Sequence, residues 1–169
     1  MSETRPAIGW GHVNVNVADL ERSIAFYELL GFSEFLPGIP YFGLARDAAA
    51  PLSDAHAEVL GVPAGTRGRA CIMQFDDGFP KLDLTEFELP APAAPLANGD
   101  RGFVRICLAC EDLAAEYARL VAAGVAFLTE PCAGTGEIAD VAVCRDPDGA
   151  LIELIQLYPE RIAALGVEI

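Results

Sequence analysis

Basic residues are scarce in this sequence. Only 11 of its 169 residues are Lys or Arg, against 25 that are Asp or Glu, which gives a formal net charge of −14 at pH 7. A nucleic-acid partner requires a clustered basic surface, and attachment to an anionic membrane surface requires the same sign of charge. The composition therefore argues against both kinds of partner.

Long apolar runs and export signals are also missing. No uninterrupted apolar run approaches the ~20 residues that a membrane-spanning helix needs. The first residues, Met1-Ser2-Glu3-Thr4-Arg5-Pro6, lack the apolar stretch of a secretory signal. We therefore expect a cytoplasmic protein.

The cysteines do not form the pattern of a disulfide scaffold. Their number, five, is odd, and they lie in apolar stretches. Reduced thiols in a cytoplasm fit this usage better than paired cystines. Cys107 and Cys110 have the spacing of a CxxC motif, but a separation of three residues places their side chains on opposite faces of a strand. We interpret both as thiols of the core or of a cavity wall.

What the sequence does contain is an internal repeat. Residues 11–20 match residues 104–113, with Asp19 over Asp112, and the same offset of 93 residues places Gly31 over Gly124. Near the end of each copy, Lys81–Phe87 matches Leu151–Leu157, which places Asp83 over Glu153. With 53% hydrophobic residues, the chain can bury a core around two such copies.

Each copy reads as a strand, a capped helix and further strands. Alternation of valines with polar residues between His12 and Val17 predicts a strand with two different faces. Asp19 and Asp112 are suited to accept hydrogen bonds from the first turn of a helix. Apolar residues then recur at helical spacing up to Gly31 and Gly124, which suit the left-handed position after a helix.

The copies differ in length and are separated by a linker. We predict a first module at residues 8–90, a Pro/Ala-rich linker at 91–101, a second module at 102–158 and a C-terminal tail at 159–169. The first module carries 23 extra residues, which we place in an insert at about 45–68 with a short helix that begins after Ser53 and ends at Leu60. Because long insertions are often functional, this insert is expected to cross the surface or the mouth of a cavity.

The segments HVNVNVADLERSIAFYELLGF and DPDGALIELIQ resemble the vicinal oxygen chelate superfamily, which includes glyoxalases, bleomycin-resistance proteins and extradiol dioxygenases. The resemblance covers both copies. It implies an α+β fold of two tandem βαβββ modules that form a curved, cup-shaped mixed β-sheet with helices outside. It also implies a small-molecule substrate or ligand and a homodimer. Because this superfamily hosts many chemistries on one scaffold, the resemblance indicates fold more strongly than function.

The resemblance further implies four positions that can hold a divalent metal. Here they are His12, Asp83, Arg105 and Glu153. Arg105 has only donors and cannot ligate a metal, which leaves His12, Asp83 and Glu153 as candidate ligands of Mn, Fe, Zn or Mg. The alternative is an Arg105–Glu153 ion pair with no metal. No nucleotide or flavin is expected, because Gly134-Thr135-Gly136 lacks the lysine and the spacing of a phosphate loop.

The function expected from the resemblance is that of a glyoxalase-like lyase or isomerase, which stabilises an enolate or alkoxide of an oxygenated substrate. Glu153 is the first candidate for the general base, and Arg105 or a metal would stabilise negative charge. His12 would ligate the metal or transfer a second proton. We expect Arg105, Asn14, Thr85 and Cys107 to contact the substrate.

The superfamily includes two further functions, of which one is disfavoured by the sequence and one remains open. Extradiol oxygenation is disfavoured, because it uses two histidines and a carboxylate, and the chain has only His12 and His56. The alternative to an enzyme is a metal-free ligand- or drug-binding protein of the bleomycin-resistance type, in which apolar and aromatic residues line the cavity. The candidates for such a wall are Trp10, Phe35, Tyr41 and Phe42.

Overall fold

The computed structural model describes residues 10–90 and 94–164, which belong to two units, Met1–Ala91 and Pro92–Ile169. Both units contain α-helices and mixed β-sheet, so the predicted α+β class is confirmed. No helix within the described residues is long and apolar enough to span a bilayer. All five cysteines are free thiols.

The first unit is built on one mixed sheet. Its elements are β1 (His12–Asn16), α1 (Leu20–Leu29), β2 (Phe32–Leu36), β3 (Gly38–Ile39), β4 (Leu44–Ala45), β5 (Ala50–Pro51), α2 (Asp54–Leu60), β6 (Arg67–Phe75) and β7 (Lys81–Phe87), with a 3₁₀ turn at Pro40–Phe42. The strands follow the order β1-β7-β6-β2, with β5 paired to β6. β1 runs parallel to β7, whereas the pairs β7–β6 and β6–β2 are antiparallel.

The second unit repeats this arrangement. Its elements are β8 (Arg105–Ala109), α3 (Leu113–Ala122), β9 (Cys132–Ala133), a 3₁₀ turn (Thr135–Glu137), β10 (Ala139–Arg145), β11 (Leu151–Leu157) and α4 (Pro159–Ala163). The strand order β8-β11-β10-β9 corresponds to that of the first unit, and β8 again runs parallel to β11. Even the register repeats: Asn14 pairs with Asp83, and Cys107 pairs with Glu153. The internal repeat inferred from the sequence is therefore confirmed.

The ends of α1 and α3 follow the sequence prediction. Asp19 Oδ1 accepts the N–H of Arg22 at 3.0 Å, and Asp112 Oδ1 accepts that of Ala115 at 2.9 Å. Gly31 and Gly124 adopt φ angles of +94° and +87°, a conformation that residues with a Cβ rarely take. An aspartate at the start and a glycine after the end thus place both helices at equivalent positions beside their sheets.

A second cap, which the sequence did not reveal, ties each helix to the last strand of its unit. The N–H of Leu20 donates to Glu86 Oε2 at 2.6 Å, and that of Leu113 donates to Gln156 Oε1 at 2.9 Å. Glu86 and Gln156 occupy matching positions of β7 and β11. The two units thus satisfy the same helical N–H group with a carboxylate in one case and an amide in the other.

The insert of the first unit packs on the sheet. Its predicted helix is confirmed as α2, which is capped by Ser53 and followed by the left-handed Gly61. The insert, β6 and the short strands β3 and β4 together form an apolar cluster on one face of the sheet. The buried members of this cluster are Ile39, Leu44, Leu52, Ala57, Ala70 and Ile72. Ile72 is the register partner of Asp83, so the cluster lies on the face to which Asp83 points.

Candidate functional site

A pocket of about 240 Å³ lies within the first unit, between the sheet and the insert. Its polar lining residues come from β1, β7 and the 3₁₀ turn, and they are His12, Asn14, Asn16, Tyr41, Asp83 and Thr85. Its apolar lining comes from the 3₁₀ turn and the residues beside it, from the insert and from β7, and consists of Ile39, Phe42, Leu44, Leu60, Val62 and Phe87. Two of these residues, Leu60 and Val62, lie in the insert, which thus contributes to the wall of the pocket.

Asp83 is the most deeply buried group of the polar lining. The residue is 1% exposed, although it carries a carboxylate. Its Oδ2 lies 3.6 Å from Nδ1 of His12 and accepts the hydroxyl proton of Tyr41 at 3.1 Å. Its Oδ1, in contrast, is buried without a hydrogen-bond partner among the described residues. A buried acceptor that lacks a partner costs free energy, and a ligand in the pocket that Asp83 lines could offset this cost by donating a hydrogen bond to the carboxyl group.

Protonation of the Asp83 carboxylate is more favourable in the pocket than it would be in water. Burial raises the pKa of Asp83 above its usual value of 3.8, although His12 and Tyr41 both act in the opposite direction. Burial and the nearby Asp83 also raise the pKa of Tyr41 to about 12, so the phenol stays neutral and remains a donor at pH 7. Asp83 is therefore suited to take up and release a proton.

Tyr41 was considered from the sequence only as part of an aromatic wall. The 3₁₀ turn Pro40–Phe42 presents it to the pocket, where it donates a hydrogen bond to Asp83. The local signal for this turn is the proline at its start and the left-handed Gly43 that ends it. Of the other aromatic candidates, Phe42 lines the pocket, whereas Phe35 lies over the ammonium of Lys81 and Trp10 is 73% exposed.

Asn14 and Thr85, which were predicted to contact substrate, form a hydrogen-bonded chain beside Asp83. Thr85 Oγ1 donates to Asn14 Oδ1 at 3.1 Å, and Asn14 Nδ2 donates to Asn16 Oδ1 at 3.1 Å. An amide nitrogen carries two hydrogens, so Asn14 and Asn16 provide further N–H donors on the polar side of the pocket. These residues share the face that the alternating pattern of β1 predicted.

The remaining predicted site residues lie together in the second unit. Arg105 Nε forms an ion pair with Glu153 Oε2, and Arg105 also donates to Asn98 Oδ1 at 3.0 Å. Cys107 Sγ donates to Glu153 Oε1 at 3.6 Å. Burial and the adjacent Glu153 raise the pKa of Cys107 to about 11, so its thiol stays neutral at pH 7. Of the two alternatives for Arg105, the structure shows the ion pair.

The predicted metal ligands do not form one set within either unit. His12 and Asp83 lie together in the first unit, whereas both oxygens of Glu153 are engaged by Arg105 and Cys107 in the second. Nowhere among residues 10–90 and 94–164 do three or more His, Cys, Asp or Glu side chains form a group that could hold a metal ion. Within the described residues neither unit by itself supplies three such ligands, and the metal remains a prediction from the resemblance.

Comparisons with known proteins agree with this fold. The chain is similar in structure to a glyoxalase family protein from Bacillus cereus, with 19% identity over 93% of this chain and 98% of that one, and a TM-score of 0.70. A member of the glyoxalase/bleomycin resistance protein/dioxygenase superfamily from Sphaerobacter thermophilus is 18% identical over 88% of this chain and 98% of its own, with a TM-score of 0.55. The V278E mutant of glyoxalase I from Zea mays is 20% identical over 85% of this chain and 43% of its own, with a TM-score of 0.54.

These structural similarities establish the fold alone, and a search of curated proteins found no match. The sequence itself is more informative at the level of family. The profile of the Glyoxalase/Bleomycin resistance protein/Dioxygenase superfamily matches residues 9–154, which include most of both copies of the repeat. The chain therefore belongs to the Glyoxalase/Bleomycin resistance protein/Dioxygenase superfamily.

Proposed function

We propose that the pocket of the first unit binds a small carbonyl compound and that Asp83 transfers a proton on it, in a lyase or isomerase reaction. The observation that carries this proposal is the buried carboxyl group of Asp83, which lines the pocket and one oxygen of which has no partner among the described residues. A carboxyl group whose pKa is raised by burial is a stronger base than an exposed one.

The two oxygens of Asp83 have different roles in this proposal. Tyr41 and His12 hold Oδ2, which fixes the orientation of the carboxylate. Oδ1 removes a proton from the carbon next to the carbonyl group, and the electron pair of that C–H bond moves onto the carbonyl oxygen. The resulting enolate is stabilised by N–H donors of Asn14 and of the His12 ring. When the substrate carries a hydroxyl group on that carbon, return of the proton to the former carbonyl carbon, with transfer of the hydroxyl proton to the former carbonyl oxygen, completes an isomerisation.

This assignment favours Asp83 over Glu153 as the base. In the second unit, Arg105 and Cys107 occupy both oxygens of Glu153, so this carboxylate would have to break existing bonds before it accepted a proton. The role of Glu153 and Arg105 as catalytic residues remains a prediction from the resemblance. The expected homodimer and the cytoplasmic location are likewise still predictions.

The test is proton exchange on enolisable carbonyl compounds in D₂O, followed by NMR. We expect the wild-type protein to accelerate exchange at the carbon next to the carbonyl, and Asp83→Asn to reduce the rate by a factor of about 10²–10⁴. Asp140→Asn in the second unit is a matched control, because Asp140 is bonded to Tyr158 and lies outside the pocket. Its rate should equal that of the wild type.

Glu153→Gln separates the two candidate bases. If this variant loses exchange while Asp83→Asn retains it, the base is Glu153 and the proposal is wrong. If the wild-type protein binds such compounds but exchanges no proton, the chain is instead a ligand-binding protein. The apolar half of the pocket wall favours that second function.

A further inference from the structure

The lining of the pocket is divided by element into a polar side and an apolar side. The strands β1 and β7 supply His12, Asn14 and Asp83. The 3₁₀ turn supplies Phe42, and the insert supplies Leu60 and Val62. A ligand that fills the pocket therefore needs a polar end toward the sheet and an apolar end toward the insert. A cavity of 150 Å³ holds benzene, so about 240 Å³ corresponds to about ten non-hydrogen atoms.

The charges around the pocket disfavour an anionic ligand. Among the described residues that line it, none is Lys or Arg, and the only carboxyl group is that of Asp83. A carboxylate or phosphate brought beside Asp83 would add a like charge to a buried one without a guanidinium or ammonium to neutralise it. The net charge of −14 repels anions at longer range as well.

The hydrogen-bonding groups disfavour a cationic ligand in turn. An amidinium or ammonium group carries several N–H donors, and each needs an acceptor once it is buried. Asp83 Oδ1 has no partner among the described residues, whereas Asp83 Oδ2 and Asn14 Oδ1 each already accept one hydrogen bond, from Tyr41 and from Thr85. The polar side combines this carboxyl group with the amide N–H donors of Asn14 and Asn16, and a cation, which has no acceptor, would leave those donors unpaired. A group with one or two N–H or O–H hydrogens and a carbonyl oxygen complements this set.

We infer that the pocket selects uncharged amphipathic molecules of about ten non-hydrogen atoms, with a carbonyl head group and an aromatic or branched aliphatic tail. The head group lies against Asp83 and Asn14, and the tail lies against Phe42 and Val62. The inference rests on the proposed function only for the location of the binding site. Selective binding at that site does not require proton transfer.

Three isosteric probes test this inference, because benzamide, benzoate and benzamidinium have the same shape and differ in charge. Titration of each into ¹⁵N-labelled protein at pH 7, followed by NMR, gives the dissociation constants and the residues affected. We expect benzamide to bind at least tenfold more tightly than either ion and to shift the amide signals of β1 and β7. Equal or tighter binding of benzoate or benzamidinium would overturn the inference, and so would the absence of shifts with benzamide.

The variant Asp83→Asn tests whether Asp83 is the residue that discriminates between benzamide and benzoate. Asparagine removes the like charge and adds an N–H donor, so benzoate should gain affinity and its disadvantage relative to benzamide should shrink at least fivefold. Asp140→Asn should leave all three affinities unchanged. If benzamide binds as expected but no carbonyl compound exchanges its proton, the proposed function fails and the inference stands. If exchange occurs but the order of affinities is different, the inference fails and the function stands.

Discussion

At the scale of single residues, the pocket contains a conflict between stability and function. Asp83 is buried in an otherwise well-packed sheet, and its Oδ1 has no partner among the described residues. Tyr41 and His12 offset part of the desolvation by supporting the other oxygen. A neutral side chain of the same shape would avoid this penalty, so the presence of a carboxyl group indicates that its charge or its proton is used.

Asp83→Asn is therefore expected to raise the free energy of unfolding at pH 7. Because the pKa of Asp83 is raised in the folded state, the folded protein holds this proton more tightly than the unfolded chain does. The stability of the wild type thus falls as pH rises from the usual value of 3.8 through the folded-state pKa. Above that window the variant should be more stable by about 1–3 kcal/mol, and below it the difference should be small.

Urea unfolding of both proteins at a series of pH values measures this difference. Asp140→Asn is again the matched control, and its stability curve should show no such pH-dependent gain over the wild type. Parallel curves for the wild type and Asp83→Asn would show that the carboxyl group of Asp83 titrates alike in the folded and unfolded chain, and would contradict the prediction.

At the scale of elements, each unit joins its first helix to its last strand through one side chain. Glu86 accepts the N–H of Leu20 and also binds the guanidinium of Arg69, whereas Gln156 accepts the N–H of Leu113. Since an amide does this in the second unit, the negative charge is not required for the cap. Both side chains extend from the strand far enough to place an oxygen within hydrogen-bonding distance of the helical N–H group.

Glu86→Gln and Glu86→Ala separate the cap from the charge. Alanine leaves the helical N–H of Leu20 without its acceptor and removes the carboxylate nearest to Arg69, so we expect a loss of about 1–3 kcal/mol in the free energy of unfolding. Glutamine retains an acceptor, as Gln156 does, and should lose less than half as much. Urea unfolding at pH 7 measures both. Equal losses in the two variants would show that the ion pair with Arg69, and not the cap, stabilises this contact.

The elements also show what the sequence could predict. Asp19, Asp112, Gly31 and Gly124 each act within one turn of chain, and repetition at a fixed offset makes their pattern visible without a structure. The limits of β7 and β11 follow from the same alignment and are those of the observed strands. Local rules that occur twice in one chain are thus strong evidence for a fold.

The contacts of the candidate site depend instead on distant residues. Tyr41 meets Asp83 across 42 positions of sequence, through an irregular turn that no periodic pattern predicts. The charge of Arg105 was evident in the sequence, but it did not distinguish an ion pair with Glu153 from contact with a substrate. The sequence therefore predicted the strands that carry the polar residues, but not which of these residues lie in the pocket.

At the scale of the whole molecule, the net charge of −14 and the local ion pairs predict opposite effects of salt on stability. Salt screens the repulsion among excess carboxylates, which stabilises the folded state, but it also weakens exposed pairs such as Arg67–Glu88 and Arg119–Glu116. Largely exposed pairs contribute about 0–1 kcal/mol each, and the excess of acidic residues affects the entire surface. Repulsion should therefore dominate at pH 7.

Raising NaCl from about 10 mM to about 150 mM should accordingly increase the melting temperature at pH 7, because the Debye length falls from about 30 Å to about 8 Å. Near the sequence pI of about 4.3 the net charge vanishes, so the same addition should leave the melting temperature unchanged or lower it. Thermal unfolding followed by circular dichroism at the two pH values measures both effects. A melting temperature that falls with salt at pH 7 would show that the ion pairs, rather than the net charge, determine the electrostatic part of the stability.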